Sequence, residues 1–361
     1  TSHVTPPHPL TRFQHFQMSL HTCTKHVASL LLLFATHVLA FPFYMDVGGL
    51  PNTTLLSPTV PNVEYHQIFE CPHPCGLVSH FDQDGTAING GIPQAINMSL
   101  HLSTVKATFD RFVLLNESRY MDFDFEEWNP VWERNSNDSN VRVFSLARVR
   151  KLHPTWSDTY VENAAKEEFE SAAQTVLLQT MVYMRQLRPS LRIGMYGYPS
   201  RFYYQGYNSS QGDMLREQND NLFPLWCGMD AILPTVYQFY NSCNNSNKRA
   251  PNEQYVRSNV REAVRLSKAI QSRCYGGQTS RRPPPPVFVY TWHRYHDGIH
   301  FVCDQDEMMT WNISVEEGAD AVVLWGDERG KEVAFASYWT HDFAPMALAW
   351  APPVMKKMGK K

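Results

Sequence analysis

Short apolar runs alternate with long helical patterns through residues 119–327, and no other feature of the sequence constrains the fold as much. Five runs read as strands: RYMDFDFE (119–126), LRIGMYGY (191–198), AILPTVYQF (231–239), VFVYTWH (287–293) and AVVLWGD (321–327). Helical patterns lie between them, notably 162–187, with apolar residues spaced by three and four and a stop at Pro189, and 252–271. Strands that alternate with helices imply a parallel sheet. In a chain of 361 residues a β/α (TIM-like) barrel is favoured over an open sheet. Barrel chemistry sits at the C-terminal ends of strands. Four of the runs end in polar or aromatic residues there: Glu126, Tyr196 with Tyr198, Tyr237, and Trp325 with Asp327.

Residues outside that pattern suggest how the chain is organised. Residues 1–40 contain no acid, and they end in the apolar run Val27–Ala40. Met18, Lys25 and ASLLLLFATHVLA read as a secretory signal peptide over 18–40, behind an upstream extension at 1–17. The apolar run is too short to span a bilayer comfortably, so no transmembrane segment is expected in the mature chain. One folded domain is expected over 41–345, with SRRPPPP (280–286) as an extended loop before a strand, and a short basic tail over 346–361. Removing residues 1–40 takes two positive charges from a net −3 and leaves −5, which argues against a nucleic-acid partner. Seven Asn-x-Ser/Thr sites (Asn52, Asn97, Asn116, Asn137, Asn208, Asn244, Asn312) behind a leader indicate a secretory-pathway glycoprotein. Its destination is expected to be extracellular, with the lysosome as the alternative. Apart from Cys23, six cysteines remain: Cys71, Cys75, Cys227, Cys243, Cys274 and Cys303. In an oxidising compartment they are expected to form disulfides, with the pairing left open. The Cys71–Cys75 spacing fits neither a redox nor a zinc motif, and no metal or cofactor is expected.

The segment MDFDFEEW carries the chemistry. Side chains alternate across a strand, so Asp122, Asp124 and Glu126 share one face, while Met121, Phe123 and Phe125 share the other. Three carboxylates on one face repel one another, and that crowding favours keeping one of them protonated. A glycosidase needs such a group to donate a proton to the leaving oxygen. Asp124 and Glu126, on the same side, are badly placed to attack a sugar from opposite faces. The pattern favours a one-acid scheme, in which the substrate's own acetamido oxygen is the nucleophile. Glu126 then acts as acid and base, and Asp124 orients the acetamido group and supports its developing charge.

Several motifs together resemble the hyaluronidase family. GTAINGGIPQ (85–94) is similar to the family's Asn-Gly-Gly-Ile-Pro-Gln signature, and DFEEWNPVW (124–132) resembles its Asp-Trp-Glu-Glu-Trp-x-Pro-x-Trp catalytic strand. MYGYP (195–199), LPTVY (233–237) and VVLWGD (322–327) follow in the family's order over about residues 80–330. The resemblance implies a distorted parallel β/α barrel forming a single catalytic domain. It also implies endo-hydrolysis of β-1,4 hexosaminidic bonds in hyaluronan or chondroitin, with retention. Carried over by motif, Glu126 is the acid/base and Asp124 the acetamido-supporting carboxylate. Tyr196 and Tyr237 contact the acetamido group and sugar, and Trp325 walls the subsite. The expected partner is a glycosaminoglycan, and the expected state a monomer.

The chain departs from the family pattern in places. Phe125 replaces the usual Trp between the acids, and Asp122 stands where an apolar residue is usual. The Cys expected soon after the Tyr-x-Tyr-Pro motif is absent, as is the one after Leu-Trp-Gly-Asp, so the family's two core disulfides are either missing or replaced by other pairs among the six Cys. A polyanionic substrate calls for cations, and Arg201, Arg257, His293 and Arg294 are the candidates by position. Two alternatives remain. Asp122-Phe-Asp124-Phe-Glu126 also resembles the end of the chitinase Asp-x-x-Asp-x-Asp-x-Glu motif, although its first Asp would fall at Arg119. A non-catalytic glycan-binding protein could keep the fold, but it would have no need of a protonatable Glu.

Overall fold

The computed structural model describes residues 43–48, 65–199, 202–204, 206–276, 282–327, 334, 337–347 and 349–350. The expected extension and leader, Asn52, Arg201 and tail residues 351–361 lie outside the described residues. Strands run in the order β1 (Phe43–Gly48), β2 (Tyr65–Gln67), β3 (Phe69–Glu70), β4 (His80–Phe81), β5 (Ala87–Ile88), β6 (Tyr120–Phe123), β7 (Arg192–Met195), β8 (Phe288–Trp292) and β9 (Ala321–Asp327). The helices are α1 (Met98–Phe112), α2 (Asn140–Leu152), α3 (Asp158–Leu187), α4 (Ser210–Asp220), α5 (Phe223–Trp226), α6 (Arg249–Cys274) and α7 (Asp304–Glu317).

Parallel ladders form two arcs, β2-β1-β9-β8 and β3-β6-β7. Ile68 alone separates β2 from β3. On the other side, single bridges at Tyr196–Leu233, Ile232–Val287 and Thr235–Tyr290 carry the order from β7 through residues 231–235 to β8. The result is a distorted β/α barrel, as the alternation of runs predicts. The run AILPTVYQF falls short of a full strand for a definable reason. The Ile232 and Val236 amides donate to the Pro286 and Tyr290 carbonyls at 2.9 Å, and Phe288 and Tyr290 donate back to Ile232 and Pro234. Pro234 has no N–H, so the donor between them is missing and the ladder is reduced to bridges.

The outer helices follow their apolar spacing. In α3, Val161, Ala165, Phe169, Ala173, Val176, Leu177, Met181 and Met184 are buried along one face. Ser157 caps its first turn, with its side chain accepting from the Tyr160 amide. At its end Arg188 is only 3% exposed, and it serves a second helix. Its Nε and Nη2 donate to the Val113 carbonyl at 3.0 and 2.8 Å, and Nη2 also reaches the Phe109 carbonyl at 2.6 Å. A cation thus closes the carbonyl end of α1, where the helix dipole is negative.

All six expected cysteines pair: Cys71–Cys75, Cys227–Cys274 and Cys243–Cys303. Met346, Ala347 and Trp350 are buried in a cluster with Trp311 and Phe343, and the Trp350 indole donates to Asn312 at 2.9 Å. The boundary expected at residue 345 therefore falls inside packed structure. Glu307 on α7 is buried too, with the Trp311 indole donating to it at 3.0 Å. Burial pushes its carboxyl up to about 8.

Two stability predictions follow from these buried charges. Arg188→Met should cost roughly 2–4 kcal/mol, because it strips charged donors from buried carbonyls, read as a lowered urea midpoint. Glu307 has a folded-state value above its ordinary 4.5, so its contribution is full below that value and is lost as pH rises through about 8. Glu307→Gln should therefore gain stability relative to the parent on going from about pH 5 to about pH 8. An unchanged difference between the two proteins would show that the carboxyl does not titrate there.

Candidate active site

The site is built at the C-terminal end of β6. The ladder with β7 stops at Phe123–Met195, three residues before the run read from sequence ends, so Asp124 and Glu126 lie just past the strand. Side-chain alternation nevertheless continues through them. Met121 and Phe123 are buried in the core, and Phe125 packs edge-on against Trp128 with ring centroids 4.7 Å apart. Asp122, Asp124 and Glu126 all point into one cavity of about 290 Å³. Trp128 anchors the chain beyond them, its indole donating to the Ser79 carbonyl at 2.7 Å. Phe125 in place of the usual Trp thus keeps a packing role.

Asp122 forms the buried floor and accepts a hydrogen bond from the Tyr290 hydroxyl on β8 at 2.9 Å. Tyr290 meets Tyr196 edge-on at 5.2 Å, and the Tyr196 hydroxyl lies 3.4 Å from Thr235 Oγ1. Tyr237 stacks on Trp325 at 5.5 Å, and Trp292 stands edge-on to Trp325 at 5.3 Å. The five site residues expected from sequence, Asp124, Glu126, Tyr196, Tyr237 and Trp325, therefore line one cavity. So do Glu70, Trp292 and His296, which the sequence reading missed. Trp292 ends a strand legible in the sequence, so the rule that selected Trp325 could have found it, whereas Glu70 ends β3, a two-residue strand that the sequence pattern does not reveal. His296 had no such signal: it sits in the loop after β8, its ring stacked on Phe239 at 3.8 Å.

A second cavity, of about 230 Å³, adjoins the first. Glu126 and Tyr196 line both. Its other walls include Phe125, Trp128, Arg134, Tyr198 and Tyr203. Gly197, at φ +73°, turns the chain between Tyr196 and Tyr198, a conformation costly for any residue with a Cβ. Burial first, and then the charges of Glu126 and Asp124, hold the Tyr198 hydroxyl well above the usual tyrosine range. Tyr198 therefore stays neutral beside the two carboxylates.

Of the cations proposed from sequence, the three among the described residues, Arg257, His293 and Arg294, line neither cavity. Arg257 is spent on Glu317 and Glu316, at 2.6 and 3.0 Å, between α6 and α7. His293 is fully buried beside Phe301 and Tyr338, in a space that exists because residue 326 is glycine; a Cβ there would stand 2.3 Å from the imidazole. Arg294 is buried as well, donating to the Ile299 carbonyl at 2.9 Å and lying over Phe301. These residues follow β8 in sequence but turn into the core. Among the described residues, no group of three or more His, Cys, Asp or Glu side chains is placed to hold a metal ion.

Known proteins match this chain in sequence and in fold. A family model described as hyaluronidase matches residues 68–338. Hyaluronidase-2 of Mus musculus is 30% identical over 290 residues, covering 78% of this chain and 57% of its own length. Hyaluronidase PH-20 of Homo sapiens is 32% identical over 248 residues, covering 67% and 46%. The chain thus spans about half the length of these curated relatives. A crystal structure of bee venom hyaluronidase in complex with hyaluronic acid tetramer superposes with a TM-score of 0.69 at 24% identity, covering 86% of this chain and 99% of that one. That likeness establishes the fold, and the family model with the curated relatives establishes the lineage: the chain belongs to the hyaluronidase family.

Proposed function

We propose that this chain is an endo-acting glycoside hydrolase that cleaves β-1,4 N-acetylhexosaminidic bonds of hyaluronan, chondroitin or both. The observation that carries this reading is Glu126 at the junction of two cavities, with Asp124 beside it in the one walled by Tyr196, Tyr237 and Trp325. A group that protonates the oxygen between two sugars belongs between their two binding sites.

The steps follow from that placement. Glu126 donates its proton to the glycosidic oxygen as the bond from C1 breaks. The substrate's acetamido carbonyl oxygen closes on C1 and gives a cyclic intermediate. Asp124 accepts a hydrogen bond from the acetamido N–H and offsets the positive charge that develops there. Tyr196 and Tyr237 orient the acetamido group, while Trp325 supplies an apolar face for the ring. Glu126, now ionised, takes a proton from water, which attacks C1 and reopens the ring. Two inversions at C1 amount to retention, by a scheme that needs one carboxylic acid and no enzyme nucleophile. Asp122, held by Tyr290, is read as the support that fixes the floor under Asp124.

Secretion as a glycoprotein is part of the same reading. The exposure of Asn116, Asn137, Asn208 and Asn244 supports carbohydrate at those positions, and three disulfides fit an oxidising compartment. Among the described residues, no helix is long and apolar enough to cross a membrane.

Glu126→Gln should lower hydrolysis of hyaluronan and unsulfated chondroitin by about 10²–10⁴-fold while leaving folding intact, measured as reducing-end release. Asp124→Asn should cost on the order of 10²–10³-fold, mostly in kcat. Normal turnover in Glu126→Gln would overturn the assignment. Cleavage of chito-oligosaccharides with neither glycosaminoglycan attacked would move the substrate to the chitin class.

A further inference from the structure

The second cavity contains a cation that no motif singled out. We propose that Arg134 is the specificity-determining residue of the leaving-group side, where its guanidinium receives the carboxylate of the uronic acid that departs on cleavage. The proposal rests on the glycosidase reading above. If Glu126 protonates the bridging oxygen, the two cavities that meet at Glu126 hold the two sugars it joins. The cavity with Asp124, Tyr237 and Trp325 takes the acetamido sugar, so the adjoining cavity takes the leaving sugar. In hyaluronan and chondroitin that sugar is a glucuronate, which carries one negative charge. In a chitin-type chain it is a neutral N-acetylhexosamine. Within that cavity's lining the charged residues are Glu126 and Arg134. A carboxylate arriving beside Glu126 needs a cation near it, and Arg134 is placed to supply one.

The local structure holds Arg134 in a defined place. It ends the single turn Trp132–Arg134, which follows the Trp-Asn-Pro bend after the catalytic segment. Asn135 locks that bend. Its Oδ1 accepts from the Asn129 amide at 2.9 Å, and its Nδ2 donates to the Asn129 and Val131 carbonyls at 2.8 and 3.1 Å. The Trp132 amide donates to Glu170 on α3 at 2.9 Å. The Arg134 Nε donates to Gln218 Oε1 on α4 at 3.0 Å, which fixes the plane of the guanidinium fork. A planar fork fixed in advance suits two-point recognition of a carboxylate. Burial draws the guanidinium below the ordinary arginine range, although it remains charged, and a desolvated cation gains most from an anionic ligand.

The test pairs a change in the enzyme with a change in the substrate. Parent, Arg134→Gln and Arg134→Lys proteins are assayed on hyaluronan oligosaccharides and on the same oligosaccharides with their carboxylates reduced to primary alcohols. Arg134→Gln should lose ~10- to 100-fold in kcat/KM on the native substrate, with Arg134→Lys intermediate. On the carboxyl-reduced substrate, parent and variants should be alike. Equal losses on both substrates would mean a structural role and would overturn the proposal. Full activity of Arg134→Gln on native hyaluronan would also overturn it, as would a parent enzyme indifferent to carboxyl reduction. That last comparison needs no variant to fold. A parent that cleaves neither native glycosaminoglycan would instead refute the glycosidase reading itself.

Discussion

The hydrogen bond from the Tyr290 hydroxyl to the Asp122 carboxylate joins β6 to β8 across 168 residues of sequence. A carboxylate only 3% exposed has no business inside a barrel without such a partner. Once it is made, much else is fixed. Tyr290 presents its ring to Tyr196, Tyr196 lies 6.2 Å from Tyr237, and Tyr237 stacks on Trp325. The same anchoring sets the phase of the chain leaving β6. With Asp122 turned inward, alternation turns Asp124 and Glu126 inward too, even though the ladder has ended. Asp122 was the residue in the sequence without an explanation, and it supplies the floor on which the proposed chemistry stands.

Much of this was legible because it depends on local periodicity. The period of two in MDFDFE identified the shared face of the three acids, and spacings of three and four identified the cores of α3 and α6. Strand ends identified Tyr196, Tyr237 and Trp325. What escaped depends on contacts between distant segments. Glu70 enters the cavity because β3 pairs with β6 in a register that puts it beside Asp122. The cysteine pairing spans 47 and 60 residues in two of the three bridges. No local pattern contains that information. Pro234 is the intermediate case: its effect on the ladder is local physics, but which donor it removes depends on the partner strand.

Charge was where sequence position misled most. His293 and Arg294 follow a strand that ends at the cavity, so proximity in sequence suggested proximity to the substrate. The His293 ring instead lies against Gly326, and both side chains are buried. Among the described residues, the cation lining the cleft is Arg134, which lies beyond the Trp-Asn-Pro bend, where only the fold brings it back beside Glu126. On the proposed reading, a mildly acidic chain meets a polyanion by holding a guanidinium beside its acid.

The central claim is that one carboxylic acid, Glu126, works with the substrate's own acetamido group, while Asp124 supports that group and does not activate water. Stereochemistry tests this most directly. Proton NMR of the first-formed reducing end, recorded before mutarotation, should show the β-anomer. An initial α-anomer would mean a single displacement by water, with Asp124 and Glu126 acting as an inverting pair, and would contradict the account.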